Sequence, residues 1–193
     1  MARPTDTKAR ILAVARELFA QRGTQQTSLQ DIAGRLGISK PALYYHFDSR
    51  DALLAAIVQP LLDDLDAFIV AHELSTPIEP RALLSDYFDL LHRNRDLLAM
   101  LVRDLAVLGV LDLGVRMIDW RHRLITLLLG PDAPLPAQVR AVVAIGGMSD
   151  CTIEFPGVPM ERIKATAVEA ASAALGLAPA SPPRPTRRAR APR

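Results

Sequence analysis

Residues 27–47, "TSLQDIAGRLGISKPALYYHF", constrain the fold more tightly than any other stretch of the chain. Thr27 or Ser28 can cap a helix, and Asp31 stands three residues after Ser28, as a capping-box variant requires. Gly37 can adopt the left-handed backbone that stops this helix after about two turns. Ser39 can cap a second helix, with Lys40 and Pro41 in its first turn, where a proline gives up no intrahelical hydrogen bond. By propensity alone Leu43-Tyr44-Tyr45-His46-Phe47 suits a strand. The cap and proline upstream make it helical instead. The sequence therefore predicts two short helices, 29–36 and 40–47, joined by Gly37-Ile38-Ser39. Ala33 is small where they must cross, and Ile32, Leu36, Ile38, Leu43 and Phe47 give an apolar side. So short a unit cannot bury that side alone, and flanking helices must pack on it, which is the mechanical requirement of a helix-turn-helix.

The flanking sequence supplies such helices. Ile11, Leu12, Ala15, Leu18 and Phe19 recur on one face of a helix from about Thr5 to Arg22, which Gly23 ends. A fourth helix starts near Asp48-Ser49, with Asp51 in its first turn, and runs to about Glu73; Pro60 should kink it. Amphipathic segments follow at about 80–93, 95–108 and 110–129, then the loop "GPDAPLP" at 130–136. Helices are expected at 136–154 and 159–175, and the Pro- and Arg-rich residues 178–193 are expected to be a disordered basic tail. The pattern contains no repeat and no convincing strand. It predicts an all-α fold, with a three-helix helix-turn-helix domain at 1–50 and a larger helical domain at 51–177.

Charge separates these parts. Residues 1–50 carry a net +4, residues 51–180 a net −7 and the last thirteen a net +5. A basic head on an acidic body points to a polyanionic partner for the head. The lone Cys151 excludes an intramolecular disulfide and suits a reducing compartment. "MARPTDTKAR" lacks the apolar core of a signal peptide, and no apolar run reaches the ~18 residues of a membrane span. The expectation is a cytoplasmic protein without a membrane partner.

With Leu43 and Phe47 facing inward, Lys40, Ala42, Tyr44, Tyr45 and His46 must face out. Tyrosine and histidine can bond phosphate oxygens, lysine can reach a phosphate or a guanine edge, and an alanine methyl can touch that of thymine. These residues form a candidate surface for double-stranded DNA.

At this point residues 27–57 resemble the DNA-binding segment of the TetR (tetracycline repressor-like) family of bacterial regulators. The resemblance rests on Ala33, Gly37-Ile38-Ser39, Leu43-Tyr44-Tyr45-His46-Phe47 and the basic Arg50. It extends well over residues 5–57, while the remainder matches only in length and helical content. It implies that Thr27 and Ser28 meet phosphate at a helix N-terminus, and that Ser39, Lys40, Pro41, Ala42, Tyr44, Tyr45 and His46 lie in or beside the major groove. Arg50 stands where the family commonly has lysine, and is expected to clamp a phosphate.

The same resemblance implies a body that binds a small-molecule effector and forms a homodimer through its last two helices. Tyr87, Phe88, Met100, Met117 and Trp120 are candidates to line an effector pocket, with Asp150 and Glu154 to orient a ligand. Gly146, Gly147, Ile163, Ala167, Ala171 and Ala174 are candidates for the dimer interface, where small side chains permit close approach. The function implied is a dimeric repressor released from a palindromic operator by its effector. The alternative is a protein-interaction module that uses the helix-turn-helix as scaffold. Catalysis is not expected, nor a metal or cofactor. The histidines at 46, 72, 92 and 122 lack metal-ligand spacing, Cys151 has no histidine close in sequence, and no Gly-rich phosphate loop is present.

Overall fold

The computed structural model describes residues 4–75, 77–104, 107, 109, 112–155 and 157–178, with the side chains of Pro4 and Thr5 left aside. These residues form nine helices and no strand. The expected tail lies outside them, apart from Ala178.

The head is built as its caps dictate. Helix α1, Pro4–Arg22, buries Ile11, Ala15, Leu18 and Phe19, and the positive φ of Gly23 ends it. Helix α2, Leu29–Leu36, opens on a reciprocal capping box. The Ser28 hydroxyl accepts from the Asp31 amide at 3.1 Å, and the Asp31 carboxylate accepts from the Ser28 amide at 2.8 Å. Gly37, at φ 68°, closes α2, and the Ile38 amide donates back to the Ala33 carbonyl at 3.1 Å. Ser39 caps helix α3, Lys40–Tyr44, through the Ala42 amide at 3.3 Å.

Helix α3 stops three residues short of the expected Phe47. The His46 amide donates to Leu43 at 2.9 Å, tightening the chain into a turn that delivers it to Ser49. Ser49 caps α4, Arg50–Glu73, accepting from the Ala52 amide at 3.0 Å. This helix runs without interruption through Pro60, whose ring lies on the exposed side.

The body contains α5, Pro80–Arg93; α6, Arg95–Arg103; α7, Leu113–Leu129; α8, Leu135–Glu154; and α9, Met160–Ala174. Helix α6 is shorter than the predicted 95–108. Helices α8 and α9 pack on one another more extensively than any other pair, and α5 lies against both, with Leu84 and Phe88 fully enclosed. The buried apolar side chains form one cluster from Ile11 in α1 to Ala171 in α9. Head and body therefore share a core, and α4 is the element common to both. Near its C-terminal end, Asp66 accepts from the Trp120 indole at 2.6 Å and from Arg116 at 3.0 Å, while Glu73 takes a two-pronged pair from Arg123 at 2.9 and 2.8 Å. Among the described residues no helix is long and apolar enough to cross a membrane.

Candidate nucleic-acid interface

Leu43 is wholly buried and Phe47 nearly so, which fixes the rotation of α3 about its axis. Ser39, Lys40, Pro41 and Ala42 are exposed, as are Tyr44 at 40% and Tyr45 at 84%. An 84% exposed tyrosine contributes almost nothing to the core, so Tyr45 is free to meet another molecule. The Lys40 ammonium stands 5.7 Å from the centre of the Tyr44 ring, a spacing that holds the charge beside the aromatic face. His46 is half-buried and meets the Tyr45 ring edge-on at 5.3 Å. Ser28 is exposed at the start of α2, where its hydroxyl and amide bonds hold the Asp31 carboxyl below the usual carboxylate range.

Two side chains of the expected DNA surface point elsewhere. Thr27 is 3% exposed, and its hydroxyl donates to the Gly23 carbonyl at 2.9 Å and reaches that of Leu18 at 3.4 Å. It braces the α1–α2 loop. Arg50 is half-buried and donates from Nη2 to the Thr24 carbonyl. The Thr24 hydroxyl in turn donates to Asp104, just beyond α6. Arg50 thus ties the start of α4 to the α1–α2 loop instead of reaching outward, and the loop is tied to the body. Neither tie is visible in the sequence, because the partners are 26 and 80 residues apart.

The pocket candidates divide. Tyr87, Met117 and Trp120 line a cavity of about 80 Å³ walled by α4, α5, α6, α7 and α8, together with Leu65, Phe68 and Ile145 among others. Phe88 is sealed in the core, and Met100 lines a separate cleft of about 930 Å³ between the end of α1 and α6. Asp150 and Glu154 are exposed and line neither space. Arg121 and Ser149, at the cavity wall, were not among the sequence candidates. Their polarity on apolar-periodic helices was the available signal.

The dimer candidates divide as well. Ala167 and Ala171 are buried within the chain, Ile163 and Ala174 half-buried, and Gly146 lines the cavity. They pack inward because α9 turns its small-residue side toward α5 and α8. Gly147 is exposed on α8, on the side that also shows Val139 at 54%, Val142 at 40% and Val143 at 64%. The 139, 143, 147 spacing of four places these residues on one side of α8. No group of three potential metal-ligating side chains occurs among the described residues.

Residues 11–57 match the family model described as bacterial regulatory proteins, tetR family. The chain is 32% identical over 96 residues to the transcriptional repressor KstR2 of Rhodococcus jostii, covering 48% of this chain and 47% of that protein. It is 33% identical over 88 residues to the transcriptional regulator TtgR of Pseudomonas putida, covering 44% and 42%. The matched stretch thus spans less than half the length of these relatives. A transcriptional regulator of Aquifex aeolicus shares the fold, with a TM-score of 0.70 at 24% identity over 85% of this chain and 96% of that one. The head at residues 11–57 thus matches the tetR family of bacterial regulatory proteins, and the chain as a whole shares the fold of a transcriptional regulator.

Proposed function

We propose that this protein is a sequence-specific DNA-binding transcriptional regulator, a homodimeric repressor released from a palindromic operator by a small-molecule effector. One observation carries the reading: a rigidly capped α3 that buries Leu43 and presents Lys40, Pro41, Ala42, Tyr44 and Tyr45 to solvent. These side chains are the wrong ones for a surface needing only solubility and the right ones for phosphate and base edges. Ser28, Ser39 and His46 flank them, while Thr27 and Arg50 hold the frame on which they stand. The functional division falls at 1–50 for operator binding and 51–177 for effector binding and dimerisation.

Reading two half-sites requires a symmetric pair. The exposed apolar side of α8 at Val139, Val143 and Gly147 supports pairing of that helix with its mate. Helix α4 supports the switching mechanism. Its N-terminal end holds Arg50 on the head, and its C-terminal half gives Leu65, Phe68 and Ile69 to the cavity wall. A ligand that shifts α4 would change the spacing of the two α3 surfaces, coupling the sites by a few kcal/mol.

Fluorescence anisotropy of the protein on DNA flanking its own gene, against a scrambled duplex at two salt concentrations, tests the proposal. Saturable binding to the flanking DNA alone, at two protomers or a multiple per site, supports it. Equal and salt-sensitive binding to both duplexes, or no binding, counts against it.

A further inference from the structure

The five-helix cavity rests on apolar walls but is not uniformly apolar. Tyr87 lines it, is 9% exposed, and has no hydrogen-bond partner for its hydroxyl among the described residues. A phenol whose hydroxyl has no protein partner is open to donate to water or to a ligand. Arg121 lines the same cavity from α7 and is itself exposed to solvent. Its neighbours Arg116 and Arg123 are taken up by Asp66 and Glu73, whereas Arg121 forms no ion pair among the described residues. Its positive charge acts on the Tyr87 phenol, opposing the effect of burial there, which brings the two groups within electrostatic reach. The indole of Trp120 is already committed to Asp66 and offers the cavity only its apolar ring.

We propose that the cavity takes a small carboxylic acid with a short aliphatic body, its carboxylate bound by the Arg121 guanidinium and the Tyr87 hydroxyl. The inference rests on the reading of this cavity as the effector site and adds the chemical class of the effector. Arg121, Tyr87 and Ser149 are the polar groups of the lining and none is acceptor-only, so an acceptor with negative charge is matched and a cation is not. Size follows from the volume. The cavity holds about 80 Å³, roughly half the ~150 Å³ of an engineered cavity that admits benzene. The cavity as it stands therefore takes only the shortest chains, of about four carbons, and a six-carbon acid enters by spreading the α4 and α7 walls.

The test is calorimetric titration of the full-length protein with hexanoate, hexanol and hexylamine. The variants are Arg121→Gln, Tyr87→Phe and Gly146→Leu. Gly146 lines the cavity and a Cβ there meets nothing within 4 Å, so a leucine fills the space. Hexanoate should bind at least about tenfold more tightly than hexanol, and Arg121→Gln should abolish that preference without weakening hexanol. Tyr87→Phe should weaken hexanoate severalfold, and Gly146→Leu should block all probes. Equal binding of hexanoate and hexanol, both lost in Gly146→Leu, overturns the acid and leaves the cavity as a ligand site. Binding that survives Gly146→Leu, or no binding by any probe, overturns the acid and the cavity together. Circular dichroism of each variant separates these outcomes from misfolding.

Discussion

The hydroxyl of Thr24 donates to the carboxylate of Asp104, joining residues 80 positions apart in the chain. Thr24 is 1% exposed, while Asp104 is half-buried at the edge of the cleft beside α1 and α6. Thr24→Val keeps the shape and removes the donor. It should cost about 0.5–1.5 kcal/mol in chemical denaturation, the net contribution of one hydrogen bond. A double-mutant cycle with Asp104→Asn should return a coupling energy of at least about 0.5 kcal/mol, and strict additivity would show that the contact contributes nothing to the joint.

Lys40 and Tyr45 separate binding from folding. Lys40→Ala should reduce the salt slope of operator binding by about one unit while leaving the melting temperature unchanged. Tyr45→Ala should leave stability within about 0.5 kcal/mol, since the side chain is almost fully exposed, yet weaken operator binding measurably. Leu43→Ala, by contrast, empties a fully buried site and should cost about 2–5 kcal/mol.

Gly37 isolates a backbone effect. A Cβ there meets no atom within 4 Å, yet φ is 68°. Gly37→Ala should therefore destabilise by about 1–2 kcal/mol through conformation alone. Gly37→Asn should cost less, because asparagine tolerates the left-handed region better. Equal losses in thermal denaturation would refute that explanation.

Val143→Glu places a charge on the exposed apolar side of α8. Sedimentation velocity should show the proposed dimer replaced by a folded monomer, with operator affinity falling in parallel. A dimer that survives this change and Val139→Glu would move the interface elsewhere.

Burial pushes the Tyr87 phenol up to about 12 from its ordinary value of 10. A raised folded pKa favours the neutral phenol, so the stabilisation it reports is complete below pH 10 and is lost as pH rises toward 12. Two units of difference correspond to about 2–3 kcal/mol. In denaturation curves at alkaline pH, Tyr87→Phe should lose stability less steeply than wild type, and identical slopes would place the tyrosine in water.

The helices were legible because caps and breakers are local. Ser28, Ser39, Ser49, Gly23 and Gly37 stand within a residue or two of the ends they set. The premature end of α3 was not, since Phe47 satisfies the apolar pattern of a helix while its backbone has already turned. Periodicity also identified Leu43 as inward and Tyr45 as outward. It misled at α9, where the alanine face reads equally well as an outer or an inner seam, and only the packing of α5 and α8 decides between them. The roles of Thr27 and Arg50 turned on carbonyls that no side-chain pattern encodes.

Helix α3 exposes most of its residues and depends on one of them, Leu43, for its attachment to the core. Positions 42, 44 and 45 can therefore accumulate substitutions at little thermodynamic cost. Helix α4 touches both the head and the cavity, and its buried residues are shared between the two. Over evolutionary time such a molecule is free to vary the surface it presents at α3, while the frame that holds that surface stays nearly fixed.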